Sequence, residues 1–124
     1  MGIRSKFLIV DDHLTTQMIL KCLFGKLGYK NIVLAEDGET ALYELKKNRF
    51  DFIMSDWNMP NPTGLEFLQK VRPHKPHKDV PFIMLTSEGT KEKVLEALKE
   101  GVGHYMVKPV GFENLEKKVK EVIK

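Results

Sequence analysis

Five short apolar runs divide the chain, and most stop at a polar residue. Phe7-Leu8-Ile9-Val10 ends at Asp11-Asp12, and Ile32-Val33-Leu34-Ala35 stands alone. The stretch from Phe50 to Asp56 ends in a carboxylate, Phe82 to Leu85 leads to Thr86-Ser87, and Tyr105-Met106-Val107 leads to Lys108-Pro109. Runs this short, apolar at successive positions, suit strands buried on both faces, as a parallel sheet requires. Between them apolar residues recur at three- and four-residue spacing. Leu14 to Leu27 carries Met18, Cys22 and Leu23 and stops at Gly28. Asp37-Gly38 precedes Ala41, Leu42 and Leu45, and Gly64 opens Leu65, Leu68 and Val71. Thr90 can cap a helix bearing Val94, Leu95 and Leu98, closed by Gly101; Phe112 to Lys124 carries Leu115, Val119, Val122 and Ile123. The predicted order is βαβαβαβαβα: an α/β fold, a doubly wound parallel sheet with helices on both faces. Residues 73–79, rich in Pro, Lys and His, read as a surface loop.

Length and composition narrow the picture. The 124 residues suit one domain, 1–124, with 42% apolar and 30% charged residues, the balance of a soluble globular protein. No apolar run approaches the roughly 20 residues that span a bilayer, and no signal peptide is read at the start, so a cytoplasmic location without a membrane partner is expected. One cysteine excludes an internal disulfide. The net charge of +3 is spread among glutamates, with no zinc-finger spacing or basic region, so no nucleic-acid partner is expected.

The chemistry lies where the apolar runs break. In a doubly wound sheet the carboxyl ends of the strands meet at one edge, and ligands bind there. That edge would gather Asp11, Asp12, Asp56, Thr86 and Lys108. Three carboxylates in one crevice repel, and a hard cation with oxygen ligands relieves the conflict; Mg²⁺ suits a site that keeps waters and a phosphate oxygen. Lys108 can reach a phosphoryl oxygen and Thr86 can donate to another. Cation, ammonium and carboxylate nucleophile are the parts of a phosphoryl transfer that leaves an acyl phosphate.

With Asp11-Asp12, Asp56, Thr86 and Lys108-Pro109 in place, the whole chain resembles the receiver domains of two-component response regulators. Ser55-Asp56-Trp57-Asn58-Met59-Pro60, Gly64, Glu88 and Tyr105 resemble the single-domain chemotaxis regulators of that family more narrowly. The resemblance implies a flavodoxin-like sheet in order 2-1-3-4-5 with five flanking helices. It implies that Asp56 accepts a phosphoryl group from a phosphohistidine of a chemotaxis-type sensor histidine kinase. Asp12 and Asp56 would bind Mg²⁺ directly, Asp11 through water, and the backbone carbonyl of Asn58 would be a further ligand. Asn58 and Glu88 would bear on the lifetime of the phosphoryl group. Lys108 would pair with that group, Thr86 would move towards it and Tyr105 would swing inward. The Lys108–Pro109 peptide would be cis. The partner face, for the flagellar motor switch, would comprise Thr86, Gly89, Lys91, Val94, Tyr105, Val107 and Lys118. The chain would be a monomer that catalyses only its own phosphoryl transfer and dephosphorylation, with a phosphatase as a further partner.

Some positions depart from the family pattern. Val110 and Gly111 follow Lys-Pro, Pro62-Thr63 precedes Gly64, and His13 follows the acidic pair; none is expected to touch the catalytic set. Lys118 belongs to a helix face that is otherwise solvated. His74 and His77 are expected to be solvated rather than metal-bound, Cys22 to be buried on the apolar face of the first helix, and the methionines to be packing residues. Two other functions fit part of the pattern: a stand-alone receiver that shuttles phosphate or regulates another process, and a phosphatase that turns over small esters. The second lacks an acid/base carboxylate beyond the nucleophile, where Asn58 stands.

Overall fold

Neighbouring residues of each strand face opposite sides of the sheet, and each side has its own core. Leu8, Val10, Ile53, Phe82 and Met84 belong to one buried cluster with Ala41, Leu45, Phe67, Leu68 and Val71. Phe7, Ile9, Phe52, Met54, Ile83 and Leu85 belong to the other, with Leu20, Phe24, Leu115 and Val119. The computed structural model describes residues 5–59, 62–87, 92, 95, 96, 99 and 103–122. Its elements are β1 (Phe7–Val10), α1 (Leu14–Lys26), β2 (Ile32–Ala35), α2 (Gly38–Lys47), β3 (Phe52–Asp56), α3 (Gly64–Val71), a 3₁₀ turn (Lys75–His77), β4 (Phe82–Thr86), β5 (Tyr105–Val107) and α4 (Phe112–Val122). The five strands are parallel in the order β2-β1-β3-β4-β5. This is the expected flavodoxin-like sheet, and helices α2 and α3 cover one face, α1 and α4 the other. Four of the five expected helices are bounded. The helix expected from Thr90 to Gly101 falls mostly outside the described residues, although Glu92, Leu95, Glu96 and Lys99 are helical.

The sequence stops and starts these elements by identifiable means. Gly28 has φ +97°, and the amides of Gly28 and Tyr29 bond back to the carbonyls of Gly25 and Phe24, which closes α1. Asp37 caps α2 by accepting from the Thr40 amide at 2.7 Å. Thr63 and Glu66 form a reciprocal capping box at α3, with bonds of 3.2 and 2.9 Å. Phe7 lies between the rings of Phe52, Phe24 and Tyr29, at centroid distances of 4.9, 5.0 and 4.6 Å. Burying one such ring stabilises the fold by about 1.5–3 kcal/mol.

Three expectations are corrected here. The inward stripe of α1 is Gln17, Leu20 and Phe24, whereas Met18 is 57% exposed and Cys22 is exposed. The reason is polar: the Gln17 amide donates to the carbonyls of Asp11 at 2.6 Å and Ala35 at 3.3 Å, which turns Met18 and Cys22 outward. Met18 therefore is not a packing residue, whereas Met54, Met59, Met84 and Met106 are buried. His77 is not solvated either. It is fully buried, its Nε2 accepts the Phe50 amide at 2.9 Å, and its Nδ1 lies 2.9 Å from Nδ1 of His74. With Nε2 committed as an acceptor, the ring is neutral and its proton sits between the two histidines. Burial, then the neighbouring charges of His74 and Arg49, hold the His77 pKa below its ordinary value, against the pull of Asp51.

Candidate functional site

The carboxyl ends of β1, β3, β4 and β5 meet at one edge of the sheet. A cleft of about 300 Å³ opens there, lined by His13, Thr16, Asp56, Asn58, Ser87 and Lys108. A larger hollow of about 540 Å³ lies at the opposite edge, between Ser5, Asp51 and Pro81 at the strand amino ends. None of Asp11, Asp12, Asp56, Thr86 and Lys108 lines it, so the smaller cleft is the candidate site.

Asp56 is the last residue of β3 and is 1% exposed. Its Oδ1 accepts the Asn58 amide at 3.3 Å. Gly64 makes room for the loop that follows. A Cβ there would collide with the Asp56 carbonyl and lie 2.7 Å from the Trp57 Cα. The Gly64 amide instead bonds to the Trp57 carbonyl at 3.0 Å, so α3 begins against the end of β3. Trp57 itself is buried, in the same core cluster as Phe67.

Asp11 is fully buried at the end of β1. The Lys108 ammonium lies 2.9 Å from Asp11 Oδ2 and 3.4 Å from Asp56 Oδ2. Lys108 is delivered from β5, whose last pairing is Thr86 with Val107, and its amide bonds to the Thr86 carbonyl at 2.8 Å. The Lys108–Pro109 peptide is cis. Burial, then the negative charge of Asp11, push the Asp56 carboxyl above its ordinary range; Lys108 and the Asn58 amide pull the other way. Burial opposes the Lys108 ammonium, yet its pairing with Asp11 and Asp56 outweighs that and holds its pKa above the usual value.

Donor atoms of Asp11, Asp12, His13 and Asp56 all lie within 4.8 Å of one another. Three carboxylates thus face one ammonium. Asp11 Oδ2 and Asp56 Oδ2 are buried and have no well-formed hydrogen bond among the described residues, so charge attraction to Lys108 is their main compensation. A hard divalent cation fits the three carboxylates, since their oxygens would ligate it and its charge would remove the residual repulsion.

His13 belongs to the site, contrary to the expectation that it leaves the catalytic set untouched. Its Nδ1 lies 3.1 Å from Oδ1 of Asp11, 3.1 Å from Oδ1 of Asp12 and 4.0 Å from Oδ2 of Asp56. The backbone explains this: the His13 amide donates to Asp11 Oδ1 at 2.8 Å, a bond that folds the residue back over the pair. The histidine stands next to two aspartates in sequence, which was the available signal. Thr16 and Ser87 also line the cleft without having been singled out.

Thr86 is buried at the end of β4, with its carbonyl held by Lys108. Tyr105 is half-buried against the α2–α3 side of the core. Tyr105, Val107 and Lys118 share a hollow of about 380 Å³ with Asn114, Lys117 and Glu121, and Lys118 pairs with Glu121 at 3.5 Å. Three residues of the expected partner face therefore lie together. Glu88, Gly89, Lys91 and Val94 lie outside the described residues.

The response regulator receiver domain family matches residues 7–120. Chemotaxis protein CheY-3 of Vibrio cholerae is 42% identical over 117 residues, 94% of this chain and 90% of that protein. Chemotaxis protein CheY of Pseudomonas aeruginosa is 41% identical over 117 residues, 94% of both chains. The solved structure of the chemotaxis response regulator CheY4 of Vibrio cholerae superposes with a TM-score of 0.88 at 38% identity, covering 96% of this chain and 98% of that one. A receiver domain of a sensor histidine kinase from Pseudomonas aeruginosa, with a magnesium ion coordinated in its active-site cleft, superposes with a TM-score of 0.86 at 25% identity, covering 96% and 97%.

Proposed function

The chain belongs to the response regulator receiver family, and from that premise we propose that it is a stand-alone chemotaxis response regulator. The carrying observation is the buried Asp56 carboxylate at the end of the central strand, 3.4 Å from the Lys108 ammonium and beside two further carboxylates.

In this reading an Asp56 carboxylate oxygen attacks the phosphorus of a phosphohistidine on a sensor histidine kinase. A P–O bond forms, the P–N bond breaks, and the electron pair stays on the imidazole. Asp11, Asp12, Asp56 and the Asn58 carbonyl would hold Mg²⁺, which when bound neutralises charge developing on the phosphoryl oxygens. Lys108 meets those oxygens with a second positive charge. Water later attacks phosphorus, releasing inorganic phosphate and restoring the carboxylate. The chain turns over no other substrate; Asn58 and Glu88 tune how long the acyl phosphate lasts.

The phosphoryl group adds close to two negative charges at the strand ends. Thr86, at the end of the adjacent strand, is drawn towards it. The ring of Tyr105 then moves further into the core from its half-buried position. The partner-face residues expected from the family resemblance, Gly89, Lys91, Val94, Tyr105, Val107 and Lys118, bind the flagellar motor switch in the altered form. The protein acts in the cytoplasm as a monomer; none of the described helices is long and apolar enough to cross a membrane. The relation to chemotaxis proteins at 42% and 41% identity supports this partner over other receiver outputs.

The test is a titration of a motor-switch peptide with and without fluoroberyllate as the phosphoryl mimic. Tighter binding with the mimic, with the gain reduced in Thr86→Ala, is the expected result. Equal affinity in both states, together with onward transfer of phosphate to a histidine protein, would replace motor control with a phosphorelay shuttle.

A further inference from the structure

The imidazole of His13 hangs over the carboxylate cluster at distances that suit coordination. Two ligands about 2.1 Å from an octahedral ion lie about 3.0 Å apart when adjacent and about 4.2 Å apart when opposite. Nδ1 of His13 is 3.1 Å from Oδ1 of Asp11, 3.1 Å from Oδ1 of Asp12 and 4.0 Å from Oδ2 of Asp56. The ring thus stands at adjacent-ligand distance from two carboxylates and near opposite-ligand distance from the third.

A second observation points to the same volume. Asp56 Oδ2, in a side chain 2% exposed, is buried without a well-formed hydrogen bond among the described residues; it lies 3.4 Å from the Lys108 ammonium on one side and 4.0 Å from Nδ1 of His13 on the other. The His13 ring is held by its backbone, not by a cap: its amide is tied to Asp11 Oδ1 at 2.8 Å, and it starts α1 without a side-chain capping bond. Its side chain is 63% exposed, so the ring can adjust by rotamer over the buried carboxylates of Asp11 and Asp56.

We propose that His13 supplies a nitrogen ligand to the cation in this cleft and shifts the site's preference from Mg²⁺ towards first-row transition ions. The proposal rests on the reading of the acidic cluster as a cation site. An all-oxygen site suits Mg²⁺, whereas one imidazole among carboxylates favours ions that accept nitrogen donors, in the order Mn²⁺, Co²⁺, Ni²⁺. A neutral imidazole with its proton on Nε2 presents the Nδ1 lone pair to the ion, and no bond needs to break elsewhere. The carboxylates still carry most of the charge; the histidine sets which ion is held best.

The experiment compares the metal-stripped full chain with His13→Phe, which keeps a ring and removes the donor. Affinities for Mg²⁺ and Ni²⁺ are measured by calorimetry, with Trp57 fluorescence as a second signal and Asp56→Asn as the control that heat arises in this cleft. Pulsed electron paramagnetic resonance on the Mn²⁺-loaded protein reads the nitrogen directly. The wild type should show imidazole ¹⁴N coupling to Mn²⁺ that vanishes in His13→Phe. The Ni²⁺ over Mg²⁺ preference should fall by about tenfold or more in that variant. An unchanged preference and no ¹⁴N coupling, with Mg²⁺ still bound, would overturn the role of His13 and leave the cation site standing; the ring would then be only a hydrogen-bond donor to the two aspartates. If neither ion binds the wild type, both readings fall.

Discussion

The ammonium of Lys108 lies 3.4 Å from Oδ2 of Asp56, and the same ammonium lies 2.9 Å from Asp11. One cation therefore serves two buried carboxylates, and its removal has two separable effects. Lys108→Ala leaves Asp11 Oδ2 without its cationic partner, which should cost on the order of 1–3 kcal/mol of stability, below the full cost of breaking a buried pair because the lysine is partly solvated and Oδ1 keeps the His13 amide. Urea unfolding in EDTA measures this. The variant should still take up phosphate but lose the gain in partner affinity, because the charge that senses the phosphoryl group is gone. A variant that keeps that full gain would remove Lys108 from the switch.

Asp56→Asn should stabilise the cation-free protein. The Asp56 carboxyl is raised above its ordinary value, chiefly by burial. The native state therefore holds this proton more tightly than the unfolded state, and ionisation disfavours the fold. The advantage of the variant should be absent at low pH, grow as pH rises through the carboxylate range and then level off. Mg²⁺ should reverse the ranking: at about 100 times its dissociation constant it adds roughly 2.7 kcal/mol to the wild type, and less to the variant. Thermal melts across pH, with and without Mg²⁺, check both signs. A lower Tm for the variant in EDTA at neutral pH would contradict the assignment of repulsion.

Gln17 holds the start of α1 to the strand ends through bonds to Asp11 and Ala35. Gln17→Leu would take the donor from the Asp11 carbonyl, while the Ala35 carbonyl keeps its bond from the Asp11 amide at 3.0 Å; the change should cost about 1–3 kcal/mol, despite being polar-to-apolar at a buried position. Denaturant unfolding gives the value. A neutral or stabilising result would mean that solvent or a repacked neighbour satisfies the Asp11 carbonyl.

These cases show what was legible in the sequence. Asp11, Asp56, Thr86 and Lys108 stood out because each interrupts or ends an apolar run, and parallel strands bring such ends together. The strand order followed from the alternation of elements and the family resemblance. The inward face of α1 was misread because periodicity counts only apolar residues, and the residue that sets its rotation is Gln17, a polar group satisfied by backbone. His77 was misread for a similar reason: a Pro- and Lys-rich stretch looks solvated, yet one of its histidines accepts the Phe50 amide from 27 residues away in sequence. His13 shows the reverse, since only the fold of the backbone over Asp11 reveals that the ring faces the carboxylates.

His77 should make the protein sensitive to mild acid. Its pKa lies below the ordinary value of 6.5, so the unfolded state binds the proton more readily than the native state. The stability it supports is present above that value and lost as pH falls through and below it. His77→Gln can keep an acceptor for the Phe50 amide without the titration, so its stability should fall less between neutral and mildly acidic pH. Chemical unfolding at a series of pH values checks the slope. Parallel curves for the two proteins would show that His77 is not the titrating group.

Intact-mass analysis after incubation with acetyl phosphate and Mg²⁺ tests the phosphoacceptor assignment most directly. The wild type should gain one hydroxylamine-labile phosphoryl group that maps to Asp56, and Asp56→Ala should gain none. A label of the same stoichiometry in Asp56→Ala would contradict the assignment and place the acceptor elsewhere.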